Sequence, residues 1–248
     1  MVENTNFMKN AFGALVERGI ITSDMLEEST VTDEMIEQFE NEFEVSVPQE
    51  VSDYLKTYCH SIRMLCAATP EGYIGDDTDM MHEINEMTPE EIFQKYDSDD
   101  YYLIERWSEI VSMPRENPLA VLKDWIKGFR EFSNIVENVN EEALKRFIPI
   151  GDWMCAGPLC IDTEIKKEDI DINDPTTWQI RWFDHEEFDW VECGYIDDNG
   201  KIVGRSFFPD FETFIRLYFY GPYDKLYDKQ MEAEGENVPD RSEWYEEM

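Results

Sequence analysis

Basic residues are scarce in this chain: 21 Lys and Arg stand against 57 Asp and Glu among 248 residues, a formal net charge of -36. A surface this negative repels phosphate backbones and anionic membranes and speeds encounter with a basic protein. The only adjacent basic pairs, Lys145-Arg146 and Lys166-Lys167, sit among acids, so no basic stripe for direct nucleic-acid binding exists. Five cysteines form an odd, dispersed set (Cys59, Cys66, Cys155, Cys160, Cys193), unlike the dense even framework of a secreted scaffold. A reducing cytoplasm is the expected location. Long apolar runs are missing as well. None approaches the roughly 20 residues that span a bilayer, and the first residues lack a basic start followed by an apolar stretch.

Histidine is rarer still, with only His60, His82 and His185. Cys59 beside His60 offers no nucleophile and base pair, because neighbouring helical residues point apart, and Cys59 reads as core. His185 inside Asp184-His185-Glu186-Glu187 is the remaining hydrolase candidate, ranked last, and no catalytic set is assigned. The acidic runs Asp76-Asp77-Thr78-Asp79 and Asp97-Ser98-Asp99-Asp100 do not continue into a calcium-binding loop, and no two cysteines have zinc spacing. Gly151 and Gly157 are followed by no Gly-Lys-Ser or Gly-Lys-Thr, and Pro158 removes a backbone donor. No metal and no cofactor are expected.

What the chain does have is apolar substance: 42% hydrophobic and 14% aromatic residues, enough for a packed core under the charge. Phe7, Met8, Ala11, Phe12, Leu15 and Val16 fall on one helical face. Thr30 to Glu34 caps a second helix with Met35, Ile36, Phe39 and Phe43 inward. Pro48 begins a third, with Val51, Tyr54, Leu55 and Tyr58 inward. Thr88-Pro89-Glu90-Glu91 supplies a capping box, and residues 83–144 read as a helical middle that includes Trp107, Ile110 and Trp125. From Phe147 the pattern turns to strands: FIPIGDWMCAGPLCID, then WQIRWFDHEEFDW, then two runs around the hairpin signal Asp197-Asp198-Asn199-Gly200. DFETFIRLY closes the series as a helix. The expected fold is α+β: N-terminal helices, a helical middle, then a mostly antiparallel sheet closed by a C-terminal helix. The expected organisation is a helical appendage over 1–30, a main domain over 31–220 with the insertion at about 83–144, and an acidic tail over 221–248.

Four segments in order carry a family resemblance: MIEQFENEFEVSVPQEVSDYL at 35–55, FIPIGDWMCAGPLCID at 147–162, WQIRWFDHE at 178–186 and DFETFIRL at 210–217. Together they resemble the SUKH superfamily, which includes fungal cell-wall synthesis regulators and bacterial immunity proteins that neutralise polymorphic toxins. The chain departs from that pattern at Tyr58-Cys59-His60-Ser61 and at Trp153 to Gly157, near the surface where partners would bind.

The resemblance implies immunity, and the charge implies a basic partner. The expected function is therefore non-enzymatic neutralisation of a cognate toxin, a basic nuclease being the expected kind, through an acidic surface. A regulatory scaffold domain binding a cellular protein or peptide is the alternative. The residues expected at the interface are Trp153, Asp184, Glu186, Glu187, Asp189 and Trp190, with Asp76, Asp77 and Asp79. Tryptophan anchors inside an acidic rim fit the usual division of an interface. Along the strand itself, Trp178, Ile180, Trp182, Phe188 and Trp190 read as facing the core.

Overall fold

The computed structural model describes residues 3–17, 21–60, 62, 68–69, 75–96, 102–103, 109–153, 156–220, 233 and 235. Trp107, Cys66, Cys155, the Asp97–Asp100 run and all of the expected tail but residues 233 and 235 lie outside them. The amino-terminal half is largely helical: α1 (Glu3–Glu17), β1 (Glu27–Glu28), α2 (Asp33–Phe43), α3 (Gln49–Thr57), β2 (Tyr58–Cys59), β3 (Ala68–Thr69), α4 (Thr78–Glu86) and α5 (Pro89–Tyr96). Then come β4 (Tyr102–Leu103), β5 (Glu109–Ile110), α6 (Ala120–Arg130) and α7 (Glu141–Leu144). Among the described residues there follow β6 (Phe147–Trp153), β7 (Gly157–Asp162), β8 (Ile180–Trp182), β9 (Arg205–Phe208) and α8 (Phe211–Tyr220). Strands β5-β6-β7-β8-β9 form an antiparallel sheet in sequential order. The α+β expectation holds, with one refinement: the sheet stays open and α8 packs on its face.

The local signals act as their chemistry requires. Thr32 caps α2 by accepting the Met35 N–H at 3.2 Å. The capping box is reciprocal, Glu91 N–H donating to the Thr88 hydroxyl at 3.3 Å and Thr88 N–H to the Glu91 carboxylate at 2.8 Å. The Asp197–Gly200 turn forms, with one bridge between Ile196 and Ile202, and the Asp197 carboxylate accepts the N–H groups of Asn199 and Lys201, both at 2.9 Å.

Alternation along the strands divides the sheet between two apolar layers. Leu159 and Ile161 of β7 point into the larger core, and Cys160 between them points into the smaller. The larger core joins Ile148, Ile150, Trp153, Trp182, Phe207 and Phe208 to Phe12, Tyr54, Phe211 and Phe214. At its centre α8 buries eight of its residues, which its nearly unbroken apolar sequence demands. The smaller core joins Phe147, Cys160 and Phe183 to Phe129, Phe132, Trp190 and Tyr195.

Three expectations need correction. Residues 1–30 are not an appendage, since Met8, Ala11, Phe12 and Leu15 of α1 are buried in the larger core. The middle is not wholly helical: β5 is the edge strand of the main sheet and β4 pairs with β3, so Ile110 enters the core from a strand. Within WQIRWFDHEEFDW only Ile180–Trp182 is strand, and the chain beyond Phe183 is irregular.

Charges inside the fold are tied down. Arg146 meets the buried Asp162 at 2.7 Å and Glu164 at 2.6 Å, and donates to the Ile202 carbonyl at 2.8 Å, so β6, β7 and the hairpin share one guanidinium. Burial raises the Asp162 carboxyl from its ordinary value, with Arg146 opposing. In the larger core the Tyr54 hydroxyl donates to the Val111 carbonyl at 2.9 Å. Its oxygen is left to accept the His60 Nε2–H at 2.8 Å, a tautomer assigned from that network.

Two outcomes follow from this packing. Gly157 has φ +151°, and a Cβ there would overlap the Phe183 carbonyl oxygen. Gly157→Ala is expected to lower unfolding free energy by about 1–3 kcal/mol in urea titration. Burial holds the His60 imidazole at about 3, against 6.5 in the unfolded chain. Between these values the unfolded state carries the extra proton, so stability is intact above 6.5 and falls on acidification, by at most about 1.4 kcal/mol per pH unit from this group. His60→Gln, which keeps the donor to Tyr54, should flatten that part of the stability-against-pH curve.

Candidate interaction site

The segment from Phe183 to Tyr195 leaves the sheet but is fixed at many points. Phe183 N–H donates to the Pro158 carbonyl at 3.2 Å and His185 N–H to the Ala156 carbonyl at 2.8 Å, extending the β7–β8 pairing past the strand. The Asp184 carboxylate accepts the Glu186 N–H at 2.9 Å and that of Asp189 accepts the Glu192 N–H at 3.0 Å, two side-chain turns that bend the chain. Asp184 N–H donates to the Tyr195 hydroxyl at 3.2 Å. Trp190 nails the segment down: its ring lies 5.0 Å from Phe183, 5.4 Å from Phe132 and 6.0 Å from Tyr195, and its indole N–H donates to the Glu187 carbonyl at 3.0 Å.

With Trp190 inside, its neighbours must face out. Phe188 is 51% exposed and Val191 58%. Ile135, also 58% exposed, follows the Phe132 that packs on Trp190, so a second segment adds an apolar side chain beside the same core. Among the described residues these are the large hydrophobics left in solvent. Around them Glu186, Glu187, Asp189 and Glu192 are exposed and Asp184 is half-buried. Between Arg181 and Lys201 there are seven acids and no lysine or arginine.

The expected interface residues therefore fare differently. Asp184, Glu186, Glu187 and Asp189 come together on one surface segment. Trp153 (2% exposed) and Trp190 (1% exposed) are corrected: both are core residues with no face to offer a partner, Trp153 stacking edge-on against Phe207 at 4.8 Å. Phe188 is corrected the other way, because the Asp184 turn ends the alternation that would have turned it inward. The Asp184 and Asp189 turn residues were the signal for this, outweighed by the aromatic pattern. Asp76, Asp77 and Asp79 stand apart, at the start of α4, which packs with α8 in the layer on the other face of the sheet. Asp77 is committed to structure as the cap of α4, accepting the Met80 N–H at 2.9 Å.

For covalent or metal chemistry the groups are poorly placed. Burial pushes the Cys160 thiol well above its ordinary value, and burial with Glu187 beside it pushes Cys193 up to about 11. Neither supplies a thiolate at neutral pH. His60 is held by Tyr54, and His82 pairs with Asn173 at 2.9 Å. His185 is exposed, on the rim of a cleft beneath α6. Among the described residues no three His, Cys, Asp or Glu side chains are grouped to hold a metal ion, and no helix is long and apolar enough to cross a membrane. Comparison with family models, with curated proteins and with solved structures gave no match.

The packing separates two roles that lie two residues apart. Trp190→Ala is expected to cost about 3–5 kcal/mol of stability. Phe188→Ala should stay within about 0.5 kcal/mol of the parent chain. Denaturant midpoints of the two variants, measured side by side, check the assignment.

Proposed function

We propose that this chain is a non-enzymatic, cytoplasmic immunity protein of the SUKH type that neutralises a cognate toxin by covering a basic part of its surface. A basic nuclease is the toxin class that an acidic cover suits best, since the carboxylates stand where substrate phosphates would. The observation that carries the reading is the Asp184–Glu192 segment: exposed Phe188 and Val191 supply apolar contact inside a rim of acids that no lysine or arginine interrupts. The rim steers encounter and the apolar residues slow dissociation, a division of labour between rate and residence time. The order of the four resembling segments supports the immunity part of the reading, and the charge supports the basic partner.

The test uses the product of the neighbouring reading frame. Co-expression should restore growth that this product arrests, and the association rate of the purified pair should fall at least about tenfold from low to high salt. Phe188→Ala should raise the dissociation rate with little change in association. Equal association rates at both salt concentrations overturn the proposal. A salt-dependent complex that gives no protection moves the chain to the regulatory scaffold class.

A further inference from the structure

A cleft of about 250 Å³ opens between α6 and the sheet, walled by Trp125, Phe129 and Phe132 from the helix and the turn after it and by Pro149 and Pro158 from the strands. The carboxylates along it are already committed: Asp124 pairs with Lys127 at 3.6 Å, and Glu109 and Asp152 have partners of their own. What the walls have left to offer a guest is ring and proline surface. The volume lies below the roughly 300–1,000 Å³ of sites for small-molecule ligands and fits one side chain.

Two contacts join the cleft to the Asp184–Glu192 segment. His185, set between Asp184 and Glu186, stands at its border. Phe132, part of its wall, packs 5.4 Å from Trp190, the ring whose burial turns Phe188 and Val191 outward. A separate observation concerns Gly128, which lies inside α6, where glycine costs helix stability, yet no atom lies within 4 Å of the place its Cβ would occupy. Packing makes no demand for glycine here. The consequence of the missing side chain is an open cleft, because Gly128 is part of its lining.

We infer that the cleft receives one aromatic side chain of the basic partner, flanked in that partner by lysine or arginine. The ring meets the Trp125, Phe129 and Phe132 wall in the offset or edge-on contacts that aromatic pairs favour, and the flanking bases meet Asp184, Glu186 and their neighbours, which enter none of the ion pairs among the described residues. A buried aromatic anchor beside a charged, solvated rim is the arrangement in which a few side chains dominate an interface. A second copy of this chain would bring the same acids against these and is disfavoured by its own charge. The inference rests on the basic-partner reading above and specifies the residue by which that partner is anchored.

The cleft can be probed with a peptide in place of the partner. The full chain, labelled with fluorotryptophan and with the Trp125 resonance assigned through Trp125→Phe, is titrated by fluorine NMR with acetyl-Lys-Lys-Phe-Lys-Lys-amide and with the same peptide carrying alanine or leucine at the centre. The phenylalanine peptide is expected to give a saturable shift of the Trp125 resonance with a Kd on the order of millimolar, and the other two to bind at least about fivefold more weakly. Gly128→Leu should fill the cleft and abolish the advantage of phenylalanine over alanine, while its thermal midpoint is at least that of the parent chain because leucine is the better helix former. A Trp125 resonance that does not move, equal affinity for the phenylalanine peptide and either control, or a phenylalanine advantage that survives Gly128→Leu overturns the inference and leaves the acidic-surface reading standing. A concentration-dependent dimer that Gly128→Leu abolishes assigns the cleft to a second copy and overturns it as well. Binding of the phenylalanine peptide that is equal at low and high salt removes the basic flanks, and with them both readings.

Discussion

Covering the five-stranded sheet on both faces is the constraint that the rest of this molecule obeys. Strands β6, β7 and β8 are buried almost throughout, so every charged residue that cannot be paired inside is driven to helix exteriors and connecting segments. The two layers are unequal. Helices α1, α3, α4, α5 and α8 gather over one face, whereas α6 gives Leu122 and Ile126 to that larger core and Phe129 to the smaller one, which α7 and the aromatic loop after β8 complete. A cover made partly of loop leaves apolar side chains at its margin and a cleft beneath its helix, and the candidate binding segment lies there.

The few basic residues are used mostly to hold acid-rich segments to one another. Lys56 reaches Asp33 at 2.7 Å, Arg115 reaches Glu27 at 2.9 Å and Lys123 reaches Glu42 at 2.5 Å, while Lys167 meets Glu50 at 3.0 Å. Lys145 pairs with Glu44 from α7 to the end of α2. Exposed pairs of this kind contribute little stability one by one. Their placement matters more, because among the described residues none of the ion pairs involves Asp184, Glu186, Glu187, Asp189 or Glu192.

How far the residues disclosed this depends on the range of the forces involved. The caps at Thr32 and Thr88, the β6–β7 pair, the Asp197–Gly200 turn and the α8 helix were legible because each is decided within a few neighbouring residues. Phe188, read as inward, and Trp190, read both as core and as an interface anchor, were not resolved for the opposite reason. Nothing local tells two aromatics two positions apart which will meet Phe132 and Phe183, and an Asp184 turn shifts the answer. Glu109 and Ile110 were likewise unreadable as strand, since a two-residue edge exists only through its pairing with Asp152 and Gly151.

By itself the sequence determined the α+β class, the sites of the caps and turns, and a charge that favours basic partners, because propensity, periodicity and net charge depend on residues near in sequence or on simple sums. Tertiary structure alone decided that α1 is core, that Phe188 and not Trp190 meets solvent, and that Gly128, Trp125 and three carboxylates from separate elements share one cleft. Burial and juxtaposition are settled by which distant surfaces exclude water together, and no short stretch of chain contains that information.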